Sequence, residues 1–463
     1  MTDRATVEAP ADSDRLDPDD RRSIRQNSIW NALQQVANLA SGSVFAIVLA
    51  WVLPLDEYGV YSYAITLSTV GLAVTTAGLN GLGIKYIYAE GRRGSRSVAA
   101  ILLIREFFCV ATFLVLGAIS FTSNDRLTTV ATLVALTSLF FRALDAPELW
   151  YMAHMRSRRA ATVRIVCVTA MLAIRVVSML VLPNLWLFIG IFVLEAAVTS
   201  LWILWRFIRE PGVPAMAKPP AAEVRSMLRD SSPLALSGIA NQINLRADIV
   251  IIQPIMGSVA VGVYSLATRA SELAYFLPMV IMNSTLPVLL RALEESRETG
   301  SDARYRRMLQ VAYNRAFQGG VLVALVVTAV CLSPVKQLFS ADLQPVFGVL
   351  LIHIWASPFV FMGAVYSKWI IAEGYLWSSF LRHGIGALTK IGLVFALIHY
   401  WGLNGAAVAT VVSYAVANYF AAFLGKESRT QGYAMTRAFI SPLVEAVQLA
   451  RRPMFRRKAR SDG

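Results

Sequence analysis

Stretches without a single Asp, Glu, Lys or Arg recur along the whole chain, at 26–55, 58–84, 107–124, 176–194, 249–268, 273–290, 316–335, 343–367 and 391–425. Several exceed the ~20 residues that carry a helix across the hydrocarbon core of a bilayer. Together with shorter runs broken by single charges they predict twelve spans. These fall near 27–53, 58–80, 97–120, 128–150, 160–182, 186–206, 233–254, 259–290, 307–333, 346–372, 377–399 and 402–424. The chain is 56% hydrophobic and only 16% charged, yet its formal net charge is +14. In a soluble protein that excess would point to nucleic acid. Here the position of the charge decides otherwise. Of 43 Lys and Arg, 32 lie in the two terminal segments and the loops on one face, 2 (Arg126 and Lys336) on the other, and 9 inside spans. By the positive-inside rule both termini are expected in the cytoplasm, and no nucleic-acid partner is needed to explain the charge.

The three cysteines sit in apolar runs and the four histidines have no ligand spacing, so neither a disulfide framework nor a metal site is expected. No Gly-rich nucleotide loop is present, and the turns on the charge-poor face are too short to house a sugar-transferring site. The reading is therefore of a non-enzyme without a cofactor. The first 20 residues carry seven acids and no apolar periodicity, the pattern of a disordered tail. Arg21-Arg22 before a long apolar run reads as a topogenic flank rather than an export signal. The basic run from Arg451 to Arg460 is expected to meet anionic headgroups.

Sliding the chain by 203 residues places Gly59-Val-Tyr-Ser62 on Gly262-Val-Tyr-Ser265, with 12 identities in 53 positions over this region. Each half then holds an even number of spans, six, and both keep the same orientation, as in transporters built from parallel repeats. The expected organisation is a cytoplasmic tail at 1–26, a first lobe at 27–208, a Pro-rich cytoplasmic linker at 209–232, a second lobe at 233–424 and a basic tail at 425–463.

Polar side chains inside spans narrow the search for a site. Asn27, Asn31, Gln34, Asn38 and Ser41 share one helical face, and Asn241, Asn244 and Asp248 repeat the device in span 7. Such stripes face protein or water, either as interhelical hydrogen bonds or as the wall of a hydrated cavity. Charges near mid-membrane are Arg175, Glu195, Arg246, Asp248, Arg269, Glu272 and Lys390. Each costs roughly 2.5–3.5 kcal/mol at a helix centre unless it is paired or functional. Arg269 and Glu272 are placed for an intrahelical pair, and Arg175 and Glu195 for mutual neutralisation. Arg246 and Lys390 have no evident local partner and stand out as candidates for an anionic ligand. Arg105, Glu106, Arg142, Asp145, Glu148, Arg315, Lys368, Glu373 and Arg382 read as snorkelling or gate charges at the cytoplasmic mouth. Pro147, Pro278 and Pro358 interrupt spans 4, 8 and 10 and are expected to bend them.

With these pieces assembled, the sequence resembles the oligosaccharide flippases (Wzx-like polysaccharide biosynthesis proteins) of the multidrug/oligosaccharidyl-lipid/polysaccharide (MOP) exporter superfamily. The resemblance rests on Asn27-Ser-Ile-Trp-Asn31 through Leu53-Pro-Leu-Asp-Glu-Tyr-Gly-Val-Tyr-Ser62, on Arg246-Ala-Asp248 with Gly262 to Glu272, and on Tyr400-Trp-Gly-Leu-Asn-Gly-Ala-Ala-Val-Ala-Thr410. It covers roughly 27–424. It implies an all-α, MATE-like fold of two six-helix lobes, alternating access, and carriage of an undecaprenyl-pyrophosphate-linked oligosaccharide across the bacterial cytoplasmic membrane. On that model Arg246, Arg269, Lys390 and Arg175 would hold pyrophosphate or acidic sugars. Asn31, Gln34, Asn38, Asn241, Asn244, Asp248 and Glu272 would complete the cavity. A monomer is implied, with membrane lipids around it and polysaccharide polymerase or export proteins as candidate partners. The alternatives are a cation-coupled multidrug exporter, disfavoured because span 1 has no carboxylate, and a lipid II flippase, disfavoured because spans 1 and 2 have no arginine.

Overall fold

A chain of this hydropathy must satisfy its backbone polar groups within each segment once it leaves water, and it does so with helices. The computed structural model describes residues 42, 44–91, 95–121, 125–211 and 216–442, and no strand occurs among them. The first half contains α1 (Phe45–Leu49), α2 (Leu55–Thr75), α3 (Leu79–Glu90), α4 (Ser95–Ser120), α5 (Arg126–Leu136), α6 (Ser138–Ala143), α7 (Pro147–Ala153), α8 (Ser157–Val181) and α9 (Leu185–Ile208). The second contains α10 (Ala221–Thr299), α11 (Ala303–Leu332), α12 (Gln344–His353), α13 (Ser357–Glu373) and α14 (Leu376–Asn418). Among the described residues nine helical segments are long and apolar enough to cross a bilayer.

Two of the nine fold back on themselves. Arg246 and Glu272 lie on the same continuous element, and a straight helix would separate them by ~39 Å. Their side chains meet at 2.6 Å. The reversal is at Gly257, whose φ of +79° only glycine adopts without strain. In α14 the same device sits at Gly402, and Ser413 reaches back to the Gly386 carbonyl at 3.0 Å.

The ends of the predicted spans mostly agree with the helices. Span 3, expected at 97–120, is Ser95–Ser120, and span 6, expected at 186–206, is Leu185–Ile208. Span 4 differs, being divided into α5, α6 and α7. Pro147 occupies the first position of α7, where a missing N–H is harmless, so it begins a helix instead of bending one. Pro358 likewise stands in the first turn of α13. The expected linker at 209–232 is helical from Ala221 onward and runs without a break into the membrane segment. Its prolines at 219 and 220 cap the helix start.

The halves meet most closely where the repeated tetrapeptides cross. A Cβ on Gly59 would lie 1.8 Å from the Ser258 carbonyl oxygen, and one on Gly262 would lie 2.5 Å from the Leu55 carbonyl oxygen. Nothing larger than glycine fits either position. Around this crossing Tyr58, Tyr63 and Leu67 of α2 share a core with Ile252, Val261 and Tyr264 of α10 and with Ala406 and Ala409 of α14. Large apolar side chains on the opposite faces, such as Leu180 at 82% exposure, are left for lipid.

Candidate functional site

The reversal at Gly257 brings Arg246, on the first limb of α10, onto Glu272, on the second. Both guanidinium nitrogens engage the carboxylate, Nη1 to Oε1 at 2.6 Å and Nη2 to Oε2 at 3.2 Å. Arg269, one turn before Glu272, approaches the same carboxylate at 3.5 Å. One acid therefore serves two arginines. Arg246, for which the sequence shows no local partner, has a distant one across the hairpin.

Two residues beyond Arg246, Asp248 points elsewhere and is saturated. Its Oδ2 accepts from Lys390 Nζ at 2.8 Å, Tyr264 Oη at 2.8 Å and Thr410 Oγ1 at 3.2 Å, while Oδ1 accepts from the Ile249 amide at 2.9 Å. Both ends of the ion pair are 1% exposed. Lys390, also without a local partner in the sequence, has a distant one here. It neutralises Asp248 from 142 residues away and locks the first limb of α10 to both limbs of α14. Asn244 is engaged in the same seam, accepting from Ser413 Oγ at 2.5 Å, whereas Asn241 is only partly buried. Asn31, Gln34 and Asn38 lie outside the described residues.

In the first half Arg175 and Glu195 do pair, at 2.7 Å, and the Arg175 guanidinium also lies 5.0 Å above the Phe45 ring. These two line a cavity of about 260 Å³ together with Arg142, Asp145 and Arg164, and Arg269 reaches it from α10. Tyr61, Ile65 and Thr69 of α2 form part of its wall. Four guanidiniums and two carboxylates face this space. Asp145 is shared by Arg105 at 2.7 Å and Arg164 at 3.2 Å, and Arg164 also binds Glu148. Arg142 rests its guanidinium 5.5 Å above the Phe192 ring. No carboxylate pairs with it among the described residues. With Arg246 and Glu272 included, the connected network holds six arginines against four acids.

The sequence reading places Arg142 among the charges of the cytoplasmic mouth and does not single out Arg164. A signal for Arg164 was present, because it lies 11 residues before Arg175, three helical turns, and so shares its face on α8. Arg142 carries no such periodic cue. It enters the cavity because span 4 is broken into short helices. In the second half Arg382 is a further buried guanidinium without a carboxylate among the described residues. It donates to Ser367 Oγ at 2.7 Å and lies 5.3 Å above the Tyr366 ring. Among the described residues no group of His, Cys, Asp and Glu is arranged to hold a metal ion.

The model of one protein family, described as polysaccharide biosynthesis protein, matches residues 24–293, more than half of the sequence. The chain belongs to the polysaccharide biosynthesis protein family. Solved structures agree on the fold. An inward-facing multidrug resistance MATE family transporter of the MOP superfamily superposes with a TM-score of 0.69 at 16% identity, covering 87% of this chain and 96% of that one. The lipid II flippase MurJ in an inward closed conformation gives 0.65 at 15% identity, covering 90% and 93%. An outward-facing MATE family transporter of the superfamily gives 0.51 at 20% identity, covering 91% and 98%. No curated protein matches the sequence. The fold is thus an all-α, multi-pass membrane architecture of the MATE type.

Proposed function

We propose that this member of the polysaccharide biosynthesis family is a flippase that carries an undecaprenyl-pyrophosphate-linked oligosaccharide repeat unit across the bacterial cytoplasmic membrane by alternating access. The observation that carries the reading is the excess of guanidinium over carboxylate around the cavity of Arg142, Arg164, Arg175 and Arg269. Planar guanidiniums match phosphate oxygens through paired N–H donors. Arg142, which forms no ion pair among the described residues, and Arg269, which shares one acid with Arg246, are the groups best placed to hold a pyrophosphate. Arg175 would join them on leaving Glu195. Lys390 and Asp248 act as the fixed joint of the second lobe and not as ligands.

The rest of the reading follows the charge and the repeat. Twelve helices form two six-helix lobes, 27–208 and 233–424, with both termini in the cytoplasm. The higher TM-score against an inward-facing relative than against an outward-facing one supports a cavity that opens to the cytoplasm, where such a substrate is made. A cavity with surplus positive charge is a poor host for the cationic compounds a multidrug exporter would take.

The test is complementation of a deletion strain with Arg142→Gln/Arg269→Gln. The variant is expected to reach the membrane at normal levels, to export no surface polysaccharide, and to accumulate lipid-linked repeat units on the cytoplasmic side. Normal export by the double variant would overturn the site. Unchanged lipid-linked intermediates in the deletion strain itself would overturn the substrate.

A further inference from the structure

A second cavity, of about 540 Å³, lies apart from the arginine site, between the end of α10 and the start of α11 with Phe361 of α13 at its base. Three of its lining residues on α11, Arg304, Arg307 and Arg315, fall on one helical stripe that continues to Gly319. That stripe spans ~22 Å of helix, roughly the depth of one leaflet and its headgroups. Between and below the arginines the walls are apolar, with Met282 and Met308 facing each other across the groove. Among the described residues no carboxylate lines it. Arg304 reaches out of the groove to Glu295 at 2.5 Å, and Arg307 has neither an ion pair nor a hydrogen bond among the described residues. Arg304 and Arg307 make one end basic, Arg315 lies about two turns deeper on the same stripe, and the apolar walls between them form a slot that suits a hydrocarbon chain.

We infer that this groove is a binding site for an anionic phospholipid of the cytoplasmic leaflet, with its phosphate between Arg304 and Arg307 and one acyl chain along Val311 toward Phe361. The charge complementarity selects the occupant. A neutral lipid would leave Arg307 without an anion, and a soluble anion would leave the slot empty of chain. Basic pockets between transmembrane helices on the cytoplasmic side are recurrent headgroup sites. The inference is independent of which substrate the arginine cavity carries.

Native mass spectrometry of the full chain released from nanodiscs of phosphatidylglycerol and phosphatidylcholine tests it. The wild-type chain is expected to retain one phosphatidylglycerol and no phosphatidylcholine. Arg304→Gln/Arg307→Gln should lower that retention roughly 30-fold, as two arginines near a headgroup imply. Ala312→Trp, which fills the slot and leaves every charge in place, should also lose the lipid. Arg297→Gln/Arg306→Gln, equal in charge change but outside the groove, should keep it. Equal retention of both lipids, unchanged retention in the two groove variants, or the same loss in the control would overturn the assignment. So would displacement of phosphatidylglycerol by undecaprenyl phosphate at equal concentration, which would make the occupant the carrier lipid.

Discussion

Lys390 and Asp248 show what a membrane interior asks of charge. Asp248 already accepts four hydrogen bonds, and Lys390 is buried against it. Removing one partner strands the other in a dry seam, at a cost of about 3–5 kcal/mol. Lys390→Met should therefore lower the melting temperature of the detergent-solubilised protein markedly, and Lys390→Met/Asp248→Leu should recover much of the loss. Equal destabilisation by the single and double variants would show that packing rather than charge is at stake. The sequence could not reveal this pair. Each residue is visible as a costly charge, but the 142 residues between them are closed only by tertiary structure. Arg175 with Glu195, on consecutive spans, and Arg269 with Glu272, one turn apart, were legible because their separation is local. The partner of Arg246 was hidden for the same reason as that of Lys390, since its acid lies across the reversal at Gly257.

Two elements depend on single residues, one at an internal reversal and one at a helix start. At Gly257 nothing lies within 4 Å of a would-be Cβ, so Gly257→Ala meets no clash and tests the backbone alone. With φ at +79° it should destabilise by roughly 1–2 kcal/mol. Gly392→Ala, also in open space but inside a regular stretch of α14, should be neutral or gain about 0.5–1 kcal/mol. Thermal unfolding of the two variants side by side separates the effects. At the start of α5, Asp125 accepts from the amides of Leu127 and Thr128 at 3.1 Å each and from the Thr128 hydroxyl at 2.6 Å. Partial burial alone would raise its pKa, but these hydrogen bonds together hold it below the ordinary carboxylate value. A lowered folded-state pKa contributes stability above the unfolded value, near 4, that is lost as pH falls through the folded value. Asp125→Ala should cost about 1 kcal/mol at neutral pH, and the difference from wild type should shrink below about pH 4. A difference that does not change with pH would mean the cap acts through packing.

Across the whole molecule, the helical membrane fold was readable from hydropathy because lipid leaves a span almost no alternative to helix. The cavity was only half readable. Hydropathy places a charge in a span but says nothing about which spans converge, so it leaves Arg142 at the mouth and gives Arg164 no role. The proposed alternating-access cycle requires the end opposite the basic face to part. There Thr128 Oγ1 and Ser258 Oγ stand 3.4 Å apart, from opposite halves. Thr128→Cys/Ser258→Cys should form a disulfide on oxidation and stop export, with export restored by reductant. Full export in the oxidised form would mean that this contact never opens. The glycine crossing beside it has a further consequence. Under the 203-residue shift Leu55 corresponds to Ser258 and Gly59 to Gly262, so the Gly59–Ser258 approach and the Gly262–Leu55 approach are the same contact made twice. That is the isologous geometry of a two-fold homodimer. A chain half this length, carrying the tetrapeptide once, already presents both surfaces of the joint to a second copy of itself, so gene duplication and fusion could produce this molecule without inventing an interface.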